Sequence, residues 1–85
     1  MPSRADDPIT PQQCAAARAY LGWKQSDLAA AVGVTKATIY RFERSADPAF
    51  ALARKYKTTH TVKAAIARAL EQAGMILEDG GVRPR

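Results

Sequence analysis

The sequence predicts an all-α domain of four to five short helices, with a C-terminal tail compatible with a short β-hairpin. Three observations predict it. The 85-residue chain holds 18 alanines against 15 leucines, isoleucines, valines and phenylalanines together, and alanine is the strongest helix former and lets helices pack closely. Cap residues and glycines recur at helical intervals along the chain. Apolar residues recur three and four apart over most of its length. A chain this short buries only about 60% of its unfolded surface, so the core is small and must be efficiently filled.

Each element follows from local chemistry. Residues 1–9, with Pro2, Ser3, Asp6, Asp7 and Pro8, read as a flexible or loosely docked N-terminal arm. Thr10-Pro11-Gln12-Gln13 is a helix start: Thr10 caps, Pro11 suits the first helical position, and Gln13 completes a capping box. Ile9, just before the cap, is placed to staple onto Cys14. The first helix runs to about Leu21, and Gly22 ends it in a left-handed conformation. A second helix spans Gln25 to Val32 and stops at Gly33. Lys24 precedes it and cannot cap, so either this helix start is less well satisfied or Ser26 takes over part of that task. Thr35 caps a third helix that continues through Glu43. Ala49 to Lys57 can form a short fourth helix after Asp47-Pro48. Thr61 is the expected cap of a helix over Val62 to Ala73, with Val62, Ala65, Ile66, Ala69, Leu70 and Ala73 on one face. Met75-Ile76-Leu77, Asp79-Gly80-Gly81 and Val82-Arg83 then have the order of a hairpin. The organisation expected is an arm over 1–9, a helical domain over 10–74 and a tail over 75–85.

Composition sets aside several function classes. No apolar run is long enough to span a membrane, and residues 1–7 show no secretory leader. One cysteine, Cys14, forms no internal disulfide. One histidine and one cysteine make no zinc-ligand set of the usual spacing. No phosphate-binding loop, nucleophile elbow or metalloprotease sequence occurs, so neither an enzyme nor a cofactor is expected, and no small-molecule site is evident. The chain reads as cytoplasmic and nucleoid-associated. Its net charge of +5 and pI near 9.8 point towards nucleic acid.

The sharpest signal lies in the 20 residues from Gln25 to Arg44. Leu28 and Val32, one turn apart, share the inner face of one helix. Ile39 and Phe42 do the same on the next. Ala29 sits where the two helices cross, and a larger side chain there would force them apart. Gly33 permits the sharp turn, and Val34 plugs the corner. Two short helices joined by about three residues have the outline of a helix-turn-helix. The third helix then turns Thr35, Lys36, Ala37, Thr38, Tyr40, Arg41 and Arg44 outward. An arginine gives two hydrogen bonds to guanine O6 and N7, and small methyl-bearing residues meet thymine methyls.

The window Gln25–Arg44, with Ala17-Arg18-Ala19-Tyr20-Leu21-Gly22-Trp23-Lys24 before it, resembles the phage-repressor-like helix-turn-helix proteins, also called Cro/C1-type or XRE-type regulators. The resemblance covers Thr10 to Arg44 and the last helix, Thr61 to Gly74. The segment between is longer than usual. It implies a lambda-repressor-like helical bundle and sequence-specific binding of double-stranded DNA by a transcriptional regulator, usually a homodimeric repressor on a palindromic operator. It assigns base reading to Lys36, Ala37 and Arg41, with Thr35 close by, and phosphate anchoring to Gln25 and Arg44. Thr38 is expected to face the DNA backbone. Tyr40 stays open between a phosphate contact and cover for the adjacent helix. Arg18 and Glu43 match an internal ion pair of related repressors, so Glu43 is expected to orient Arg18.

Charge supports the same placement. Between Lys36 and Lys63 lie seven basic residues, opposed by only Glu43 and Asp47. Arg54, Lys55 and Lys57 are the candidates for further phosphate contacts, which position a protein without reading sequence. Other features read more plainly. Trp23 and Cys14 are expected in the core, His60 in solvent, and Glu71 and Gln72 on a solvated helix face. Two other functions are weighed. An antitoxin-type protein-interaction module is motivated by small size and the apolar Met75-Ile76-Leu77. A general nucleoid binder predicts equal affinity for all sequences. The last helix and the tail are the expected homodimer interface.

Overall fold

A computed structural model describes residues 8–53 and 58–85. Among them, five helices precede one hairpin: α1 (Pro11–Leu21), α2 (Gln25–Val32), α3 (Lys36–Arg44), α4 (Pro48–Ala53), α5 (His60–Gln72), β1 (Met75–Glu78) and β2 (Gly81–Pro84). Helices α1, α2, α3 and α5 enclose a core of Cys14, Ala17, Leu28, Ala29, Ile39, Phe42, Ile66, Ala67 and Leu70. Ile9 and Met75 complete the buried cluster. Leu21, Trp23, Val32, Val34, Val62, Ala69, Leu77 and Val82 pack around the rim.

The starts of α1 and α3 follow the expected chemistry. Thr10 Oγ1 accepts the Gln13 N–H at 3.1 Å, and Gln13 Oε1 accepts the Thr10 N–H at 3.0 Å. Thr35 Oγ1 accepts the Thr38 N–H at 3.3 Å. Helix α2 starts on Lys24, whose side chain makes no cap bond, so its first turn is less well satisfied than those of α1 and α3. Asp27 Oδ2 accepts the N–H of Lys24 itself at 2.8 Å. A carboxylate in the first turn also suits the positive end of the helix dipole.

Three boundaries differ from the sequence reading. The sequence reading groups Ile9 with the arm, yet it is fully buried and belongs to the core cluster. Residues 1–7 lie outside the described residues. Helix α5 starts two residues early: Thr59, not Thr61, is the cap, and its Oγ1 accepts the Val62 N–H at 3.2 Å. Both threonines satisfy the local rule, and the earlier start adds backbone bonding that begins with Lys63 N–H to Thr59 O at 3.0 Å. His60 is thus the first residue of α5, and it is exposed as expected. Helix α4 begins at Pro48, with Asp47 Oδ1 accepting the Ala49 N–H at 3.0 Å.

The hairpin is antiparallel, with Met75 opposite Pro84, Ile76 opposite Arg83, Leu77 opposite Val82 and Glu78 opposite Gly81. It is packed with the helices rather than hanging from them. Met75 is only 2% exposed, and Leu77 and Val82 lie against the core. Buried Gln13 ties it down from α1, donating through Nε2 to the Gly81 carbonyl at 3.0 Å and also to the Glu78 carbonyl. One amide therefore completes a helix cap with its oxygen and holds a hairpin 65 residues away with its nitrogen. Arg85 N–H closes the base of the hairpin on Gly74 O at 2.7 Å.

Candidate nucleic-acid interface

The turn between α2 and α3 is set by Gly33, whose φ of +90° and ψ of 29° lie in the left-handed region. A side chain there would meet no neighbouring atom, so the backbone conformation alone requires glycine. The Gly33 and Val34 N–H groups both bond to Ala29 O, at 2.8 and 3.0 Å, and close α2. Ala29 is buried beneath the crossing, and Val34 packs at the corner. Ile39 and Phe42, both buried, anchor α3. This leaves one side of α3 for solvent.

On that side Thr35, Lys36 and Ala37 are exposed at the amino end of α3, and Arg41 is partly exposed one turn further on. Thr38 is partly buried, with its hydroxyl 3.2 Å from that of Thr35. Arg54, Lys55 and Lys57 lie outside the described residues.

Behind α3 sits a polar node that the resemblance foresaw only in part. Arg18 on α1 donates to Glu43 on α3 through Nε at 2.7 Å and Nη2 at 2.8 Å. Its third nitrogen, Nη1, reaches the Trp23 carbonyl at 3.0 Å. The pair is largely screened from water, at 18% and 10% side-chain exposure. Two further donors converge on the same carboxylate: Gln25 Nε2 at 3.0 Å and Cys14 Sγ at 3.2 Å. Burial by itself would raise the Glu43 pKa. The hydrogen bonds from Arg18, Gln25 and Cys14, with the Arg18 charge, outweigh it and hold the carboxyl below its usual range. The same hydrogen bond and charge hold Arg18 protonated, against the effect of its own burial. Burial, then the neighbouring Glu43 charge, pushes the Cys14 thiol well up, so it stays a neutral donor.

Gln25 therefore already spends one amide hydrogen inside the protein, at the amino end of α2. The convergence of Cys14 and Gln25 on Glu43 was not legible locally, because the three residues lie on three different helices.

The far end of α3 carries a second cluster. Tyr40, 42% exposed, accepts a hydrogen bond through its hydroxyl from Arg44 Nη1 at 3.0 Å. The Arg44 guanidinium lies over the Phe50 ring, 4.8 Å from its centroid, and 5.8 Å from that of Tyr40. The two rings meet edge to face, 6.4 Å apart at 88°. Asp47 Oδ2 stands 3.7 Å from Arg44 Nη2. The Tyr40–Arg44 spacing of one helical turn is a sequence signal for such a contact. Phe50 carried none, since it follows a helix break.

No helix among the described residues is long and apolar enough to cross a membrane. No group of three or more metal-ligating side chains occurs among them. A family model described as helix-turn-helix matches residues 15–61, more than half of the chain. The match takes in most of α1, all of α2, α3 and α4, and the first residues of α5. No curated protein sequence matches the chain.

Proposed function

The chain belongs to the XRE-type helix-turn-helix family of DNA-binding regulators, and from that membership we propose that it reads a specific duplex sequence as a homodimer with α3 in the major groove. The observation that carries this reading is the exposed amino end of α3. Thr35, Lys36 and Ala37 stand in solvent there, on a helix held from behind by Ile39 and Phe42. In a docked helix-turn-helix this is the end that meets base edges. Lys36 and Arg41 supply donors for guanine, and Ala37 and the Thr35 methyl supply apolar contacts for thymine.

Backbone anchoring falls to Gln25 and Arg44 at the two ends of the unit, with Thr38 and Tyr40 beside α3 and Arg54, Lys55 and Lys57 following it. A single recognition helix spans too few base pairs to select a site. Two copies place their recognition helices about 34–36 Å apart on one face of a palindromic operator. The exposed face of α5 and the outer edge of the hairpin are the surfaces assigned to the two-fold contact. Occupancy of an operator by such a dimer excludes other proteins, which is the physical basis of a repressor role on the chromosome.

The protein-interaction alternative rested on the apolar Met75-Ile76-Leu77. Two of those residues pack on the chain's own core, so that motive is weaker than the sequence suggested. The test is selection of bound duplexes from a random pool, followed by footprinting and mass measurement of the complex. A palindromic consensus protected by two chains is the expected result. Equal recovery of all sequences, or a single chain per site, overturns the reading.

A further inference from the structure

Helix α4 carries no charged residue over Pro48–Ala53, yet it delivers a ring to Arg44 at the carboxyl end of α3. The Arg44 guanidinium is held on several sides. Phe50 lies beneath it at 4.8 Å from the ring centroid. The Tyr40 hydroxyl accepts from Nη1 at 3.0 Å. Asp47 is the acidic neighbour, at 3.7 Å, and its other oxygen caps α4 through the Ala49 N–H. Even so, the Arg44 side chain remains 46% exposed. An exposed pair of this length neutralises little of the charge.

We propose that Phe50 is a positioning residue for phosphate binding. Together with Tyr40 it seats Arg44 so that the guanidinium meets one backbone phosphate flanking the bases under α3. The inference rests on the reading of α3 as the recognition helix. Its physical basis is the difference between an aromatic and an acidic holder. A ring face attracts a guanidinium without cancelling its charge and leaves the in-plane N–H groups directed outward. A planar donor group fixed before binding loses less rotamer freedom when it meets the phosphate. The edge-to-face contact with Tyr40 fixes the Phe50 ring in turn. Helix α4 thereby becomes part of the DNA interface.

The experiment is a double-mutant cycle in the full chain, using a duplex selected from the random pool and a scrambled duplex of equal length. The variants are F50A, F50L, F50Y, R44Q and the F50A/R44Q double. Helicity and melting temperature are recorded for each. R44Q is expected to weaken binding and to reduce the slope of log K against log salt by about 0.9 for each bound chain, about 1.8 for a dimer. F50A and F50L are expected to weaken binding about two- to fivefold with Arg44 present. The loss should be equal on both duplexes, because a phosphate contact reads no sequence. F50A should cost nothing further in the R44Q background, and F50Y should bind as the parent does. F50L keeps apolar volume without a ring, so equal loss in F50L and F50A with an unchanged melting temperature separates seating from folding. Losses that persist at full size in the R44Q background overturn the proposal, as does parental affinity in F50L. A parent chain that selects no sequence overturns the recognition-helix reading instead. The cycle still reports on Arg44 through non-specific duplex binding.

Discussion

Arg18 and Glu43, 25 residues apart, meet side-on through two hydrogen bonds of 2.7 and 2.8 Å. The pair ties α1 to the inner side of α3, and Cys14 and Gln25 complete the shell around the carboxylate. Breaking such a pair from one side leaves the other charge stranded. E43A is therefore expected to destabilise the fold by about 3–5 kcal/mol, with R18A similar. The double replacement R18M/E43L should lose markedly less than the sum, since no uncompensated charge remains. Denaturant midpoints of the four proteins check this.

The same node makes stability depend on acid. Glu43 has a folded pKa below its unfolded value. Its contribution is fully present above the ordinary carboxylate pKa of about 4.3. It is lost as pH falls through the depressed folded value, because the unfolded chain takes up the proton first. The parent melting temperature should drop steeply below that pH. E43Q should start lower and show a shallower acid limb over the same range. A parallel acid limb in the two proteins would place the acid sensitivity elsewhere.

Gln13 joins the first helix to the last hairpin. Q13A removes the donor to Glu78 O and Gly81 O from a site only 1% exposed. A loss of about 1–3 kcal/mol is expected. Q13E should be worse than Q13A, since it faces two carbonyl oxygens with a carboxylate. Amide exchange should accelerate in β1 and β2 more than in α2 and α3. Uniform acceleration would show that the contact stabilises the whole body rather than the hairpin.

Arg41 is the proposed base-reading arginine. R41A should weaken binding to the selected duplex by about 1–3 kcal/mol and relax preference at one base pair. K36A should likewise weaken binding more on the selected duplex than on a scrambled one. Binding titrations on single-base variants of the selected site measure both. Unchanged discrimination in R41A would remove Arg41 from the base-reading set.

Much of the site was legible because its determinants are local. The turn at Gly33 follows from one positive φ. The outward face of α3 follows from where Ile39 and Phe42 fall on a 3.6-residue period. The α5 boundary slipped by two residues because Thr59 and Thr61 obey the same capping rule, and only the bond from Val62 N–H to Thr59 separates them. The pairing of Arg18 with Glu43 came from family resemblance. No local rule joins residues on different helices.

The sequence by itself determined the helices, the caps of α1 and α3, the glycine turn and the basic surplus after Lys36. Each depends on neighbours within about one turn, where backbone sterics and spacing decide the outcome. Tertiary structure alone decided which distant side chains share a partner. It brought Cys14, Arg18 and Gln25 to one carboxylate, Gln13 to the hairpin, and Phe50 beneath Arg44. Those contacts exist because packing a small core fixes how the helices cross, and crossing geometry is a property of the whole chain.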